Sequence, residues 1–176
     1  MARSWVDATL ATAIACVALV VRWPYLWTIP RFTDETLEVL HSLAIVRDGA
    51  RPLTNYDSYY GALYNYVVAA ALWLGGESPF APRIVVLIAG ALTAVVTYAL
   101  GRELAIHLLG DAGAPGSVQR HAEGALVPRL TGALAALMLA TNGQHVVVNS
   151  HVAWSNCLTP LFTALALWAL LRATRR

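Results

Sequence analysis

The run VAWSNCLTPLFTALALWALL, residues 152–171, contains no formally charged residue and lies between His151 and Arg172. A helix of about 20 mostly apolar residues crosses the hydrocarbon core of a bilayer. The composition of the chain agrees with such a helix, because hydrophobic residues make up 58% of it and charged residues only 12%. Soluble domains average about 25% charged residues. The sequence therefore predicts an all-α integral membrane protein.

Further apolar runs predict three more transmembrane helices, over residues 8–27, 84–100 and 130–148. Trp23, Tyr25 and Trp27 at the end of the first run are typical of the aromatic belt at a membrane boundary. A removed signal peptide is the alternative for this run, but no small-residue cleavage site follows it. We therefore expect a retained anchor and four spans in all.

The apolar stretch over residues 60–75 is too short for a full span, so it predicts a juxtamembrane helix. With this stretch outside, Arg3, the loop 101–129 and the arginines of residues 172–176 all lie on the cytoplasmic side. A fifth span would move the loop and the C-terminal arginines outward, against the positive-inside rule. We expect a multi-pass protein of the plasma (inner) membrane with both termini cytoplasmic, and a mobile connection over 101–129.

A second juxtamembrane helix is predicted over residues 34–48, within RFTDETLEVLHSLAIVRDG at positions 31–49. Thr33 is a suitable N-cap, and Asp34 and Glu35 favour the positive end of the helix dipole. At 100° per residue one arc is polar and consists of Asp34, Glu38, His41 and Ser42, with Glu35 at its edge. The opposite arc is apolar and consists of Leu37, Leu40, Leu43 and Ala44. We expect the apolar arc to face the membrane and the polar arc to face water.

Polar groups near the predicted membrane surface are candidates for substrate binding: Tyr59 and Tyr60 after residue 52, and His151 and Asn156 in NSHVAWSN, residues 149–156. In a four-span topology both stretches face the same compartment and can converge on one cavity. Interfacial anchoring of the tyrosines and polar ends of spans are the simpler alternatives. Cys16 and Cys157 lie inside apolar runs, so we expect buried thiols and predict no metal site.

The order of motifs along the chain resembles the N-terminal part of the GT-C membrane glycosyltransferases. These motifs are Asp34-Glu35 at the start of a surface helix, GESPFAPR at 76–83, YALGR at 98–102, GALAALMLAT at 132–141 and SHVAWSN at 150–156. The likeness is greatest to the protein O-mannosyltransferase, aminoarabinose transferase and oligosaccharyltransferase-like enzymes. It implies a truncated GT-C module with two juxtamembrane helices in the first external loop.

The resemblance also implies a chemistry. Asp34 corresponds to the catalytic carboxylate of the family, with Glu35 as its neighbour, and the donor is a polyprenyl-phosphate-linked sugar. A positioned carboxylate can act as the base that deprotonates an acceptor. The chain departs from the family at Asn156, where a second acidic residue is common, and at His151, where a basic residue is common. Relatives also continue past the position of Arg176 through further spans.

Two functions follow as expectations. The first is a non-catalytic structural or accessory subunit of a larger membrane complex, with lipids and other membrane proteins as partners. The second is the N-terminal half of an active sugar transferase with Asp34 as its catalytic carboxylate. The cofactor is left open between a divalent metal and a bound lipid. The net charge of +2 argues against a nucleic-acid partner.

Overall fold

The structure is a computed structural model that describes residues 2–27, 33–55, 60–110, 126–148 and 155–174. The helix ends at residues 2–4, 33–34, 110 and 148 are described by their backbone alone. Within these ranges all regular elements are helical. The α-helices are α1 Ala2–Arg22, α2 Thr33–Asp48, α3 Leu63–Gly75, α4 Ala81–Gly110, α5 Leu126–Thr141, α6 Gly143–Val148 and α7 Thr159–Thr174. Two 3₁₀ helices, Trp23–Leu26 and Ser155–Leu158, flank α1 and α7.

Three helical segments of the described chain have the length and composition needed to cross a membrane: Trp5–Leu26, Ala81–Leu109 and Ser155–Thr174. Their mean hydropathies are 1.7, 2.3 and 1.5. Two other apolar helices, Leu63–Gly75 and Leu126–Thr141, are shorter than a span requires. The all-helical class predicted from the sequence is thus confirmed, with three candidate spans.

Helix α4 is longer than the sequence predicted. A span over residues 84–100 was expected to end before a connection that began at residue 101, but α4 continues to Gly110. Gly101 does not end the helix, because its backbone packs closely against Gly132 of α5, with a distance of 3.1 Å from an ideal Cβ at Gly101 to the Gly132 Cα. The prediction of a connection over residues 101–129 was therefore wrong for residues 101–110 and 126–129, which belong to α4 and α5, and residues 111–125 lie outside the described chain.

The run predicted as a span over residues 130–148 is interrupted. Helix α5 ends at Thr141, whose hydroxyl donates to the Leu137 carbonyl at 2.8 Å. Asn142 is not helical, and α6 begins at Gly143. Asparagine and glycine both have low helix propensity, which accounts for the break at this point.

The chain divides into two compact units. Unit 1 comprises Met1–Val21, Ala91–Asn142 and Pro160–Arg176, and unit 2 comprises Arg22–Gly90 and Gly143–Thr159. The core of unit 1 consists mainly of small side chains: Ile14, Ala18, Ala91, Ala94, Tyr98, Ala136 and Ala140. Small residues let helix backbones approach closely. At Gly132 the approach is so close that a Cβ would lie 2.5 Å from the carbonyl oxygen of Tyr98.

Unit 2 is built around α2 and α3, with a core of larger side chains. The buried apolar residues are Tyr64, Val68, Leu72, Ala81, Val86 and Cys157. The buried thiol of Cys157 agrees with the sequence, but Cys16 of unit 1 is exposed. The expectation for Cys16 was wrong because α1 turns Ile14 and Ala18, rather than Cys16, toward the core of its unit.

Candidate functional site

Helix α2 buries much of the polar arc that the sequence predicted to face water. Glu35 is 4% exposed, and Glu38 and Ser42 are fully buried. On the other side, Leu37 and Leu40 are 40% and 56% exposed. The prediction that the polar arc faces water was therefore wrong for Glu35, Glu38 and Ser42, whereas nothing in the structure tests whether the apolar arc faces the membrane. Buried carboxylates require partners, and unit 2 supplies them from outside α2.

Arg83, in the first turn of α4, binds Glu35 through two hydrogen bonds. Its Nε donates to Glu35 Oε1 at 2.8 Å, and its Nη2 donates to Oε2 at 3.2 Å. A third bond runs from Nη1 to the Leu26 carbonyl at 2.7 Å. Both charged side chains are only 6% exposed. Because both carboxylate oxygens accept from one guanidinium, Glu35 joins three segments of unit 2 rather than presenting a free base.

Two asparagines hold the carboxylate of Glu38. The Asn55 amide donates to Oε1 at 3.2 Å, and the Asn65 amide donates to Oε2 at 2.7 Å. The same Asn65 nitrogen is 3.3 Å from the Glu38 carbonyl, which also accepts from the Ser42 hydroxyl at 2.8 Å. Both asparagines are at most 4% exposed. Glu38 therefore links α2 to α3 and to the chain before residue 56.

The backbone around Asn55 forms a small antiparallel bridge between Thr54 and Gly61. The backbone nitrogen of Asn55 donates to the Tyr60 carbonyl at 3.0 Å, and the backbone nitrogen of Ala62 donates to the Leu53 carbonyl at 3.2 Å. This pairing fixes the backbone of Tyr60, whose side chain remains 42% exposed.

Other predicted site residues have different outcomes. Tyr59 and His151 lie outside the described residues, and Asp34 belongs to α2 but its side chain is likewise not described. Asn156 is half-buried in the 3₁₀ helix that contains the buried Cys157. The structure places Glu35, Tyr60 and Asn156 in one unit.

A small cavity borders Glu35. It has a volume of about 100 Å³ and is lined by Glu35, Thr36, Val39, Leu40 and Pro79. Ligand pockets for small molecules typically have volumes of about 300–1,000 Å³. Tyr60 and Asn156 are not among the lining residues. The cavity therefore does not combine the predicted site residues into one binding pocket.

Several buried polar residues were missed by the sequence predictions. Asn65 is the clearest, because an asparagine inside the apolar run GALYNYVVAAALWLGG signals a buried hydrogen bond. Asn55 carries no such signal, since it lies in a loop among other polar residues such as Thr54 and Asp57. Arg22 and His145 form another buried contact, with Nη2 of the arginine 2.7 Å from Nδ1 of the histidine.

The hydroxyl of Tyr64 is also buried in unit 2. Its burial, together with the nearby charges of Glu38 and Glu35, raises the pKa of Tyr64 well above the ordinary value of 10.0. The phenol therefore stays protonated at physiological pH, and it offers one donor and one acceptor to its surroundings.

Unit 1 contains a different polar cluster, centred on Asp7. Its Oδ1 accepts from the Tyr98 hydroxyl at 2.6 Å and from Arg129 Nε at 3.0 Å. Arg102 Nε is 3.5 Å from the same oxygen. The Asp7 side chain is 28% exposed. This cluster ties α1 to α4 and α5 in a partly exposed position.

Among the described residues, no group of three or more histidine, cysteine, aspartate or glutamate side chains is arranged to hold a metal ion. Comparison of the chain with protein-family models, with curated proteins and with solved structures finds no match.

Proposed function

We propose that the chain is an integral membrane protein that serves as a non-catalytic structural subunit of a larger membrane complex and resembles the N-terminal part of a GT-C glycosyltransferase. The observation that carries this proposal is the Glu35–Arg83 pair. One of the two carboxylates expected at a catalytic centre has both oxygens bound by an arginine in a nearly inaccessible position. A buried pair of this kind serves as a structural link between helices.

The exposed faces of two helices support the subunit role. Only 17% of the most apolar part of Trp5–Leu26 and 11% of that of Ser155–Thr174 is buried. The corresponding share of Ala81–Leu109 is 50%. On α7, Phe162, Leu167 and Leu170 are all more than 45% exposed. Lipid and the helices of partner subunits are the surroundings that suit such faces.

The subunit proposal is tested by purification in a mild detergent, with a tag on this chain. We expect other membrane proteins to copurify in fixed proportion. Replacement of Leu167 and Leu170 on α7 by alanine should weaken this association. The matched control is Leu37→Ala, which changes an exposed leucine on α2. Isolation of the native chain as a single monodisperse species would contradict the proposal.

The proposed topology has four spans, and the third, over residues 130–148, includes the break at Asn142 between α5 and α6. The first external loop lies on the outer face of the plasma membrane and both termini lie in the cytoplasm. The arginine distribution supports it. The test is a cysteine at Ser117 in a Cys16→Ser background, treated in intact cells with an impermeant thiol reagent. Protection until the cells are opened is the expected result. Labelling in intact cells would require five spans.

The alternative function is the N-terminal half of an active transferase that uses a polyprenyl-phosphate-linked sugar, with Asp34 as the base. One observation favours it: α2 begins at Thr33, so the neighbouring Glu35 fixes the first turn of the helix that carries Asp34. Asp34→Asn should then abolish sugar transfer in membranes supplied with the donor, whereas Asp48→Asn, at the exposed end of the same helix, should leave it unchanged. Transfer that survives Asp34→Asn would exclude this function.

A further inference from the structure

Glu38 is a buried charge without a cationic partner in the described part of the chain. Both of its carboxylate oxygens accept amide N–H groups, which is the bonding pattern of an ionised carboxylate. The ion pairs that Arg47, Arg83, Arg102 and Arg129 form with described carboxylates do not include Glu38. Arg83 is bound to Glu35, which lies one helical turn before Glu38 on α2. The two glutamates and this arginine therefore leave a net charge of −1.

The oxygens around Glu38 are incompletely satisfied. Among the described residues, Oδ1 of Asn55, Oδ1 of Asn65 and the hydroxyl of Tyr64 are buried without a hydrogen-bond partner. All three residues are at most 4% exposed. Buried polar atoms almost always have a partner, so each of these oxygens calls for a partner other than the described residues.

The two amide oxygens lie close to the carboxylate. Within one amide the oxygen and nitrogen are about 2.2 Å apart. Because the Asn55 and Asn65 nitrogens are 3.2 and 2.7 Å from the carboxylate, each Oδ1 lies within about 5.5 Å of a Glu38 oxygen. Rotation of an amide about its last side-chain bond exchanges its nitrogen and oxygen, which turns Oδ1 toward the carboxylate.

We propose that the Glu38 carboxylate and the side-chain amides of Asn55 and Asn65 form a site for a small monovalent cation such as Na⁺. Carboxylate and amide oxygens are the ligands preferred by hard cations. A monovalent ion neutralises the single carboxylate, whereas a divalent ion would leave a buried positive charge. A water molecule satisfies the three oxygens but leaves the carboxylate charge uncompensated. The site is independent of the proposed subunit role and of sugar transfer.

The test compares thermal unfolding of the full chain, in detergent, with NaCl or choline chloride at equal ionic strength. Because a ligand that binds only the folded state stabilises it, Na⁺ should raise Tm saturably by about 5 °C at a hundredfold excess over its dissociation constant. Glu38→Gln should lose this increment, and Glu77→Gln, which changes an exposed carboxylate of the same unit, should keep it. Equal curves in the two salts would assign the oxygens to water and overturn the proposal.

A second variant keeps the proposal testable if Glu38→Gln does not fold. Asn65→Asp preserves the shape of the side chain and adds a second carboxylate beside the first, which makes a divalent ion the better match in charge. We expect this variant to lose stability without added cation and to be stabilised by Ca²⁺ more than by Na⁺. A variant that responds to neither ion, or a native protein that responds to Ca²⁺ alone, would contradict the monovalent site.

Discussion

The two units both use arginine to hold a carboxylate, but they do so at different depths. In unit 1 the Asp7 side chain is 28% exposed and its partners Arg129 and Arg102 are 13% and 20% exposed. In unit 2 Glu35 and Arg83 are each 6% exposed. Water can partly replace a lost partner of Asp7, but it cannot replace a lost partner of Glu35. Removal of one partner of a carboxylate–arginine pair should therefore lower stability much more in unit 2 than in unit 1.

The cores of the two units also differ in how far they depend on buried polar groups. Unit 1 is closed by glycine and alanine, so its stability depends on the close fit of helix backbones. Unit 2 contains Glu35, Glu38, Asn65 and Arg83 in its interior, so its stability depends on satisfied hydrogen bonds. Four substitutions test this contrast, from the largest expected effect to the smallest.

Arg83→Met should have the largest effect. It removes the hydrogen bonds that Arg83 donates to the buried Glu35 carboxylate and to the Leu26 carbonyl. Loss of one partner of a buried pair costs about 3–5 kcal/mol. The measurement is the free energy of unfolding in detergent. The double variant Glu35→Leu with Arg83→Met is the control and should recover most of the loss, because it removes both charges. A double variant as unstable as Arg83→Met alone would mean that the uncompensated charge is not the cause.

Gly132→Ala should come second, because it tests the shape of unit 1. A methyl group there would lie 2.5 Å from the Tyr98 carbonyl oxygen and 3.0 Å from the Arg102 nitrogen, so α4 and α5 would have to separate. Overpacking of this kind costs about 1–3 kcal/mol. Gly143→Ala is the matched control, because nothing lies within 4 Å of its ideal Cβ. Equal unfolding free energies for the two variants would show that α4 and α5 have room to adjust.

The orientation of α2 shows how far the sequence can predict this structure. Helical periodicity identified which residues of α2 share a face, but it does not determine which face turns inward. That choice depends on partners distant in the sequence: Asn55 and Asn65 lie 17 and 27 residues from Glu38, and Arg83 lies 48 residues from Glu35. No local pattern connects these residues.

The length of α4 has a similar explanation. Gly101 resembles a helix end when its sequence is considered alone, and the predicted span ended there. In the structure its contact with Gly132, on another helix, keeps the backbone helical. The helical class was predictable because composition and apolar run length determine it. The candidate site was not predictable, because the adjacency of Asp34 and Glu35 does not reveal that Arg83 binds the Glu35 carboxylate.

Asp7→Asn should have a smaller effect than Arg83→Met, although Asp7 has more partners. The amide keeps an oxygen that can accept from Tyr98 or Arg129 but loses the charge that attracts both arginines. We expect a loss of about 1–2 kcal/mol, because the cluster is partly solvated. Thermal unfolding at low and high salt is the measurement. The difference from the native chain should shrink as salt increases. A loss equal to that of Arg83→Met would remove burial as the factor that separates the units.

Glu77→Gln should have the smallest effect, because its partner Arg47 and Glu77 itself are 59% and 45% exposed. Hydrogen bonds from Arg47 hold the pKa of Glu77 below its ordinary value of 4.5. A carboxyl group with a lowered pKa stabilises the folded state above the ordinary pKa and loses this effect as pH falls through the lowered pKa. The small difference between native and variant Tm should therefore be present at pH 7 and decrease as the pH falls below 4.5 through the lowered pKa. A difference that does not decrease at acidic pH would show that Glu77 acts through packing rather than charge. Contact area as well as burial would then be needed to rank the ion pairs.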